Sequence, residues 1–310
     1  MKIDLMKAYD SVNWDFIIHC LSCFGFPLRF INWVKECITS PHFSISINGT
    51  LVGYFKGAKG LRQRDPLSPY LFVIAMEVFS RIMGELTGFD PGFKFHPRCS
   101  NLQLTHLCFA DDMLIFSEVN SSSIEVVKAA LLEFEKLSGL KANPSKSSLF
   151  CAGISSRMKT ILLDELLMEE GKLPVRYLGV PLVSSKFSAM DCRVLIEKIT
   201  SRIGFWTSRQ LSFAGRLQLI SSVLYGLQVY WTGIFILPKS VLKDISQKFN
   251  RFLWNGKDCD SVKAKVAWGD ICFPKSEGGL GLKCVETWNI SSMMRHIWSL
   301  FAKSGSIWVA

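Results

Sequence analysis

Two adjacent aspartates, Asp111 and Asp112, stand between short apolar runs in the stretch LTHLCFADDMLIFS, residues 104–117. Flanks of Leu, Ile, Phe and Cys with room for one reversal, between Ala110 and Met113, predict a β-hairpin with the carboxylates at its tip. Aspartate is a common turn residue, so the pair taken alone reads as a solvated turn. Partly buried, two such charges repel unless a cation or hydrogen-bond donors hold them. A third carboxylate is Asp4, flanked by Ile3 and Leu5 in the opening segment KIDLM. Three oxygen donors of this kind suit Mg²⁺, which takes carboxylates, water and phosphate in octahedral geometry. Two such ions about 3.5–4 Å apart can activate a hydroxyl and stabilise a leaving pyrophosphate in an in-line displacement.

Such a site needs elements that bring the carboxylates to one edge. KIDLM reads as a strand. A helix follows, capped by Ser11 or Asn13, with Phe16, Ile17, Leu21 and Phe24 at helical spacing and Gly25 and Pro27 ending it. FSISINGTLVGYF is a second hairpin, because Asn48-Gly49 accepts the positive φ angles of a tight turn. The loop KGAKGLRQRDP then enters a helix with Asp65 as cap, Pro66 in the first turn, and Leu71, Ile74, Ala75 and Val78 on its apolar face. After the acidic hairpin, Ser122 to Glu125 forms a capping box. Val127, Leu131, Phe134 and Leu137 line that helix, and Gly139 stops it. Beyond Ser184 the pattern is mainly helical and more basic, without internal repeats or low-complexity tracts. This order predicts an α+β sheet domain followed by a helical one, with Asp4 and the acidic hairpin converging at one sheet edge.

The composition suits that reading. The chain has 310 residues, 49% hydrophobic, enough for one large domain or two smaller ones. Lys plus Arg number 36 against 26 Asp plus Glu, and the net charge of +10 suits a polyanion such as nucleic acid. Ten cysteines are scattered along a chain with no signal peptide, which predicts reduced thiols and an intracellular location, in nucleus or cytoplasm. His19, Cys20 and Cys23 form an H-C-x-x-C run, but it lies on an apolar helical pattern with no second cysteine pair, so core packing is expected rather than zinc. Leu217–Pro238 is uncharged and long enough to cross a bilayer. Its Gln218, Ser221, Ser222, Gln228 and Thr232, and the interruptions at Gly226 and Gly233, predict buried helix packing and no membrane partner.

KIDLMKAYDSVNWDFI, GLRQRDPLSPYLF, FADD, GLKANPSKS and YLGVPL resemble, in order and spacing, the palm motifs of reverse transcriptases from plant non-LTR (LINE-type) retrotransposons. WTSRQLSFAGRLQLISSVLY and FPKSEGGLGL are similar to the segment downstream of the palm in those elements. The resemblance implies an RNA-directed DNA polymerase that uses two Mg²⁺ ions, an RNA template, a DNA primer and deoxynucleoside triphosphates, with no obligate protein partner. It assigns Asp4, Asp111 and Asp112 as catalytic metal ligands and Tyr9 as the aromatic gate that excludes a 2′-hydroxyl. Gln63 falls in the nucleotide and template loop, and Lys146 is the lysine that assists pyrophosphate departure. Tyr177, Leu178 and Gly179 open the primer-grip hairpin that runs to Leu182. The implied organisation is a palm with part of the fingers and the primer-grip hairpin over residues 1–184, a thumb-like helical region over 185–255 and a basic C-terminal segment over 256–310. The palm is expected to be an antiparallel sheet with helices on one face.

Two departures bear on activity. Arg64 stands where the family carries glycine after Gln63, and glycine would allow unusual backbone angles and close approach of a nucleotide. Only three residues precede Asp4, so an N-terminally truncated copy lacking its fingers segment is expected. Alternative readings are a non-catalytic nucleic-acid-binding remnant and an unrelated Mg²⁺-dependent nuclease or phosphodiesterase. Outside the resemblance, Asp10 is a turn or helix-start residue, Tyr9 a core aromatic, and Lys146 and Lys275 solvated surface charges.

Overall fold

Ile3 and Leu5 alternate with Lys2 and Asp4, which makes the opening segment a half-buried strand. In the computed structural model, which describes residues 1–207, 211–256, 265–303 and 305, that strand becomes the centre of the main sheet. The chain forms two compact units, Met1–Lys172 and Leu173–Ala310.

The strands of the first unit are β1 (Lys2–Asp4), the ribbon β2 (His42–Ile47) and β3 (Thr50–Lys56), β4 (His106–Phe109), β5 (Asp112–Ile115), β6 (Ser148–Leu149) and β7 (Glu169–Glu170). Its helices are α1 (Ala8–Ser11), α2 (Trp14–Cys23), α3 (Leu28–Thr39), α4 (Ser68–Phe89), α5 (Ser121–Ser138) and α6 (Ser156–Leu166). The sheet order is β4-β5-β1-β6-β7. It is antiparallel as expected except at its last pair, where β7 runs parallel to β6. The physical reason is the connection: α6 lies between those two strands, and a helical crossover returns the chain in the same direction.

Ile3, Met113 and Ile115 share one sheet face and are almost completely inaccessible, as are Ile17, Leu21, Phe72, Phe79, Met83 and Phe134 from α2, α4 and α5. Phe79 and Phe134 meet edge-on with centroids 5.4 Å apart. Burying each side chain of this size stabilises by roughly 1.5–3 kcal/mol, which holds the aspartate-bearing strands firmly against the helices.

Local signals place most element ends. Asn13 caps α2, accepting from the Asp15 amide at 3.0 Å, and Gly139 ends α5 with φ 76°. Asn48 and Gly49, at φ 49° and 84°, make the turn of the β2–β3 ribbon. The start of α4 differs from expectation: the helix begins at Ser68 with Pro69 in its first turn, and Asp65 instead accepts from the Leu67 amide at 2.8 Å. Asx-turn bonding of this kind competes with helix capping. The buried face of α4 also differs, running through Leu71, Phe72, Ala75, Met76, Phe79 and Met83, with Ile74 and Val78 only partly buried. Asn120, ahead of the expected box, caps α5 through the Ser123 amide at 2.6 Å.

The second unit contains β8 (Val175–Tyr177) and β9 (Val180–Leu182), then α7 (Arg193–Thr207), α8 (Phe213–Leu219), a π-helical turn over Ile220–Leu224, α9 (Tyr225–Thr232), α10 (Lys239–Asn255), α11 (Trp268–Ile271) and α12 (Val285–Phe301). Its own core joins Leu195, Ile199 and Ile203 of α7 to Ile245, Phe249, Phe252 and Leu253 of α10. Buried Asn289 of α12 accepts from the Leu237 amide at 2.9 Å and donates to the Thr232 and Phe235 carbonyls at 2.9 and 2.8 Å, satisfying the backbone where α9 ends. The uncharged stretch from Leu217 is divided among α8, the π turn and α9, with Gln228 and Thr232 fully buried. No helix among the described residues is long and apolar enough to cross a membrane.

The units divide twelve residues before the boundary at residue 184 drawn from sequence. The β8–β9 hairpin packs with the helices C-terminal to it: Val180 lies in the second core, and the Tyr230 hydroxyl donates to the Leu178 carbonyl at 2.8 Å. Of the C-terminal segment, residues 257–264, 304 and 306–310 lie outside the described residues.

Candidate active site

The register of β1 on β5 pairs Lys2 with Leu114, Ile3 with Met113 and Asp4 with Asp112. Directly opposed residues of antiparallel strands share a sheet face. Because Ile3 and Met113 point into the helices, Asp4 and Asp112 lie on the opposite, partly exposed face. Lys2 lies on that face too, with Nζ 3.5 Å from Asp112 Oδ1.

The acidic hairpin is tighter than its sequence suggested. Phe109 pairs with Asp112, so the reversal is only Ala110 and Asp111, with Ala110 at φ 52°. Asp111 is exposed in the turn, whereas Asp112 is already the first residue of β5.

Tyr9 belongs to the short helix α1, and its ring stacks on Phe72 with centroids 4.8 Å apart and planes 17° from parallel. Burial raises the pKa of its hydroxyl, and the negative charge of Asp111 raises it further. The acidic turn and the tyrosine therefore feel one another electrostatically.

Tyr9 is also tied to the loop that carries Gln63. Its carbonyl accepts from the Leu61 amide at 2.5 Å, the Gly60 amide donates to the Val12 carbonyl at 2.7 Å, and Trp14 Nε1 donates to the Gly60 carbonyl at 2.6 Å. Gly60 is necessary for this approach: its φ is 91°, and a Cβ there would lie 2.8 Å from the Asp10 carbonyl oxygen. Exposed Gln63 borders a cleft of about 510 Å³ together with Asp10, Trp14, Lys59, Arg62 and Asp65. Its neighbour Arg64 has φ 68°, the left-handed conformation that glycine adopts without steric cost.

Lys146 is exposed in the turn after α5. Two neighbours that sequence reasoning missed hold the backbone of Asp4: its amide donates to Ser147 Oγ at 3.1 Å, and its carbonyl accepts from the Asn143 amide at 2.8 Å. Ser147 Oγ in turn donates to the Asn143 carbonyl at 2.7 Å. The Asn-Pro dipeptide was the available signal, since it initiates turns. Asp4, Asp111, Asp112, Tyr9, Gln63 and Lys146 all belong to the first unit. Tyr177, Leu178 and Gly179 lie in the second, where Leu178 and Gly179, at φ 50° and 83°, form the β8–β9 turn.

Among the described residues, no three His, Cys, Asp or Glu side chains are gathered into a preassembled metal cluster. The donor chemistry still fits Mg²⁺, which is usually held by one or two carboxylates plus water and substrate phosphates rather than by an all-protein cage. Facing Asp4 and Asp112, with Asp111 next in the chain, offer that kind of set. The His19–Cys23 pair is different: Nε2 and Sγ are 3.5 Å apart on an exposed helix face, while burial pushes the Cys20 thiol up to about 11. The nine described cysteines are free, with Cys20 and Cys192 buried but Cys23 and Cys37 exposed.

A sheet whose central strand and neighbouring tight hairpin oppose two carboxylates, backed by helices, is an arrangement suited to nucleotidyl transfer. Residues 1–182 match the family model of reverse transcriptase (RNA-dependent DNA polymerase), and the chain belongs to that family. It is 30% identical over 296 residues to the retrovirus-related Pol polyprotein from the type-2 retrotransposable element R2DM of Drosophila melanogaster, covering 91% of this chain and 26% of that protein. Identity is 25% over 314 residues to the transposon TX1 uncharacterized 149 kDa protein of Xenopus laevis, covering 96% and 22%. An Arabidopsis thaliana protein with a ribonuclease H name is 30% identical over 129 residues, 42% of this chain and 21% of its own length. The chain thus spans about a fifth to a quarter of the length of these relatives.

Proposed function

We propose that this chain is the polymerase segment of a plant non-LTR retrotransposon protein, adding deoxynucleotides to a DNA primer on an RNA template. The observation that carries the reading is the cross-strand opposition of Asp4 and Asp112 beside the Asp111 turn, within a chain of the reverse transcriptase family. In this proposal residues 1–184 are the palm, part of the fingers and the primer grip, 185–255 a thumb-like region, and 256–310 a basic segment.

Asp4, Asp111 and Asp112 would hold the divalent ions. When bound, Mg²⁺ supplies a more acidic primer hydroxyl and neutralises charge on the leaving pyrophosphate. Tyr9, held flat by Phe72, is a wall against a 2′-hydroxyl. Gln63 contacts nucleotide and template from a loop tied to the Tyr9 backbone. Lys146 presents an ammonium to the departing pyrophosphate, and the turn of Tyr177, Leu178 and Gly179 steadies the primer end. The excess of basic residues attracts the phosphate backbone.

A second reading, a nucleic-acid-binding chain that no longer catalyses, is favoured by one feature. Arg64 carries a left-handed backbone in the loop where the family has glycine. Primer extension with Mg²⁺ on RNA and DNA templates, with Asp111→Asn as the blank, separates the two. Extension on RNA that disappears in Asp111→Asn supports the polymerase. Salt-sensitive duplex binding without extension supports the second reading.

A further inference from the structure

Lys2 is a feature that the proposed chemistry does not use. It precedes Asp4 by two residues on the same strand face, diagonal to Asp112, whose Oδ1 is 3.5 Å from its Nζ. The side chains of Lys2 and Asp112 are 21% and 35% exposed, so the contact is partly shielded from water. Like charges placed directly opposite in a sheet destabilise it, and Asp4 faces Asp112 in that way. A lysine on the diagonal offsets this repulsion without filling the space between the carboxylates. Its ammonium is a compact charge on a flexible four-carbon stem, so the contact can be released by a rotamer change.

We infer that Lys2 is a built-in counter-cation: it clasps Asp112 in the metal-free chain, gives way when a divalent ion takes that carboxylate, and thereby weakens the site's affinity for the ion. The inference rests on the metal-dependent reading above and deepens it. A unit positive charge a few ångströms from a divalent ion is unfavourable even at the dielectric of water, and its removal corresponds to about a tenfold gain in ion affinity.

The test uses the full chain with Lys2→Met, Lys2→Arg, Asp112→Asn and the Lys2→Met/Asp112→Asn double variant. Thermal unfolding is measured in EDTA, and Mn²⁺ binding is followed by the loss of the free-ion paramagnetic resonance signal. In EDTA, Lys2→Met should lower the unfolding temperature by about 2 °C, a shift that largely disappears in the Asp112→Asn background. Lys2→Met should bind Mn²⁺ with an apparent Kd about tenfold below that of the native chain, while Lys2→Arg stays near native. Equal effects of Lys2→Met in both backgrounds would overturn the clasp. Unchanged or weaker Mn²⁺ binding by Lys2→Met, or equal tightening in Lys2→Arg, would overturn the competition. If neither the native chain nor Lys2→Met binds Mn²⁺, the metal reading itself fails and the exchange falls with it, whereas coupling in EDTA would then still report the ion pair.

Discussion

Asp4 and Asp112 oppose one another in register across β1 and β5, on the sheet face turned away from Ile3 and Met113. In the absence of a metal their repulsion costs stability that Lys2 beside Asp112 only partly offsets, and the backbone of Asp4 is held on both sides by Asn143 and Ser147.

Asp4→Asn should therefore stabilise the metal-free chain by about 0.5 kcal/mol, as expected for relief of a like-charge cross-strand pair. The same substitution should abolish primer extension. Urea unfolding in EDTA and an extension assay check the two halves; a loss of stability together with retained synthesis would contradict the role given to this pair.

Arg64 has a Cβ in a backbone region that disfavours one, with φ 68°. Arg64→Gly should raise stability by about 1 kcal/mol, the relief of left-handed strain less the greater entropy of glycine in the unfolded chain. The urea midpoint is the measurement, and a fall in midpoint would mean that the arginine side chain makes compensating contacts.

Gly60 presents the opposite case. A methyl group there would meet the Asp10 backbone at 2.8 Å, and alanine would also carry a φ of 91°. Gly60→Ala should cost roughly 2–3 kcal/mol and displace the Gln63 loop from Tyr9, from strain and overpacking together. Calorimetry gives the stability, and protection of the Leu61 amide from hydrogen exchange reports the loop. Wild-type protection at Leu61 would exclude the displacement.

His106 couples the sheet to pH. Its ring nitrogens lie 2.9 Å from Ser80 Oγ and 2.8 Å from Thr105 Oγ1, and its ring meets Phe79 edge-on. Burial lowers its pKa from 6.5, with the charge of Glu77 acting the other way. The unfolded chain therefore takes up this proton before the folded one does. The stability contributed by neutral His106 is complete above pH 6.5 and is lost as pH falls through the lower folded value. Unfolding midpoints between about pH 7.5 and pH 5 should fall less steeply for His106→Gln than for the native chain, and equal slopes would assign the pH dependence elsewhere.

Sequence alone determined the parts of this protein whose signals are local. Asn48-Gly49 specified a tight turn, Asn13 and Gly139 marked helix ends, and Asp111-Asp112 between apolar runs marked an acidic hairpin. Each depends on a few neighbouring φ angles or on one side chain reaching its own backbone, and distant contacts do not overturn it. The motifs also sufficed to identify the family. Tertiary structure decided the rest. The pairing of Asp4 with Asp112, rather than with its neighbour, comes from seating Ile3, Met113 and Ile115 together against α4 and α5, and a one-residue slip would have buried the charges. The same register brings Lys2 to Asp112, while Ser147 and Asn143 reach Asp4 only because residues 141–148 run beside β1. The docking of the β8–β9 hairpin with the helices after it likewise depends on partners distant in the chain. Those long-range contacts are set by the burial of whole faces, a quantity that no short stretch of sequence contains.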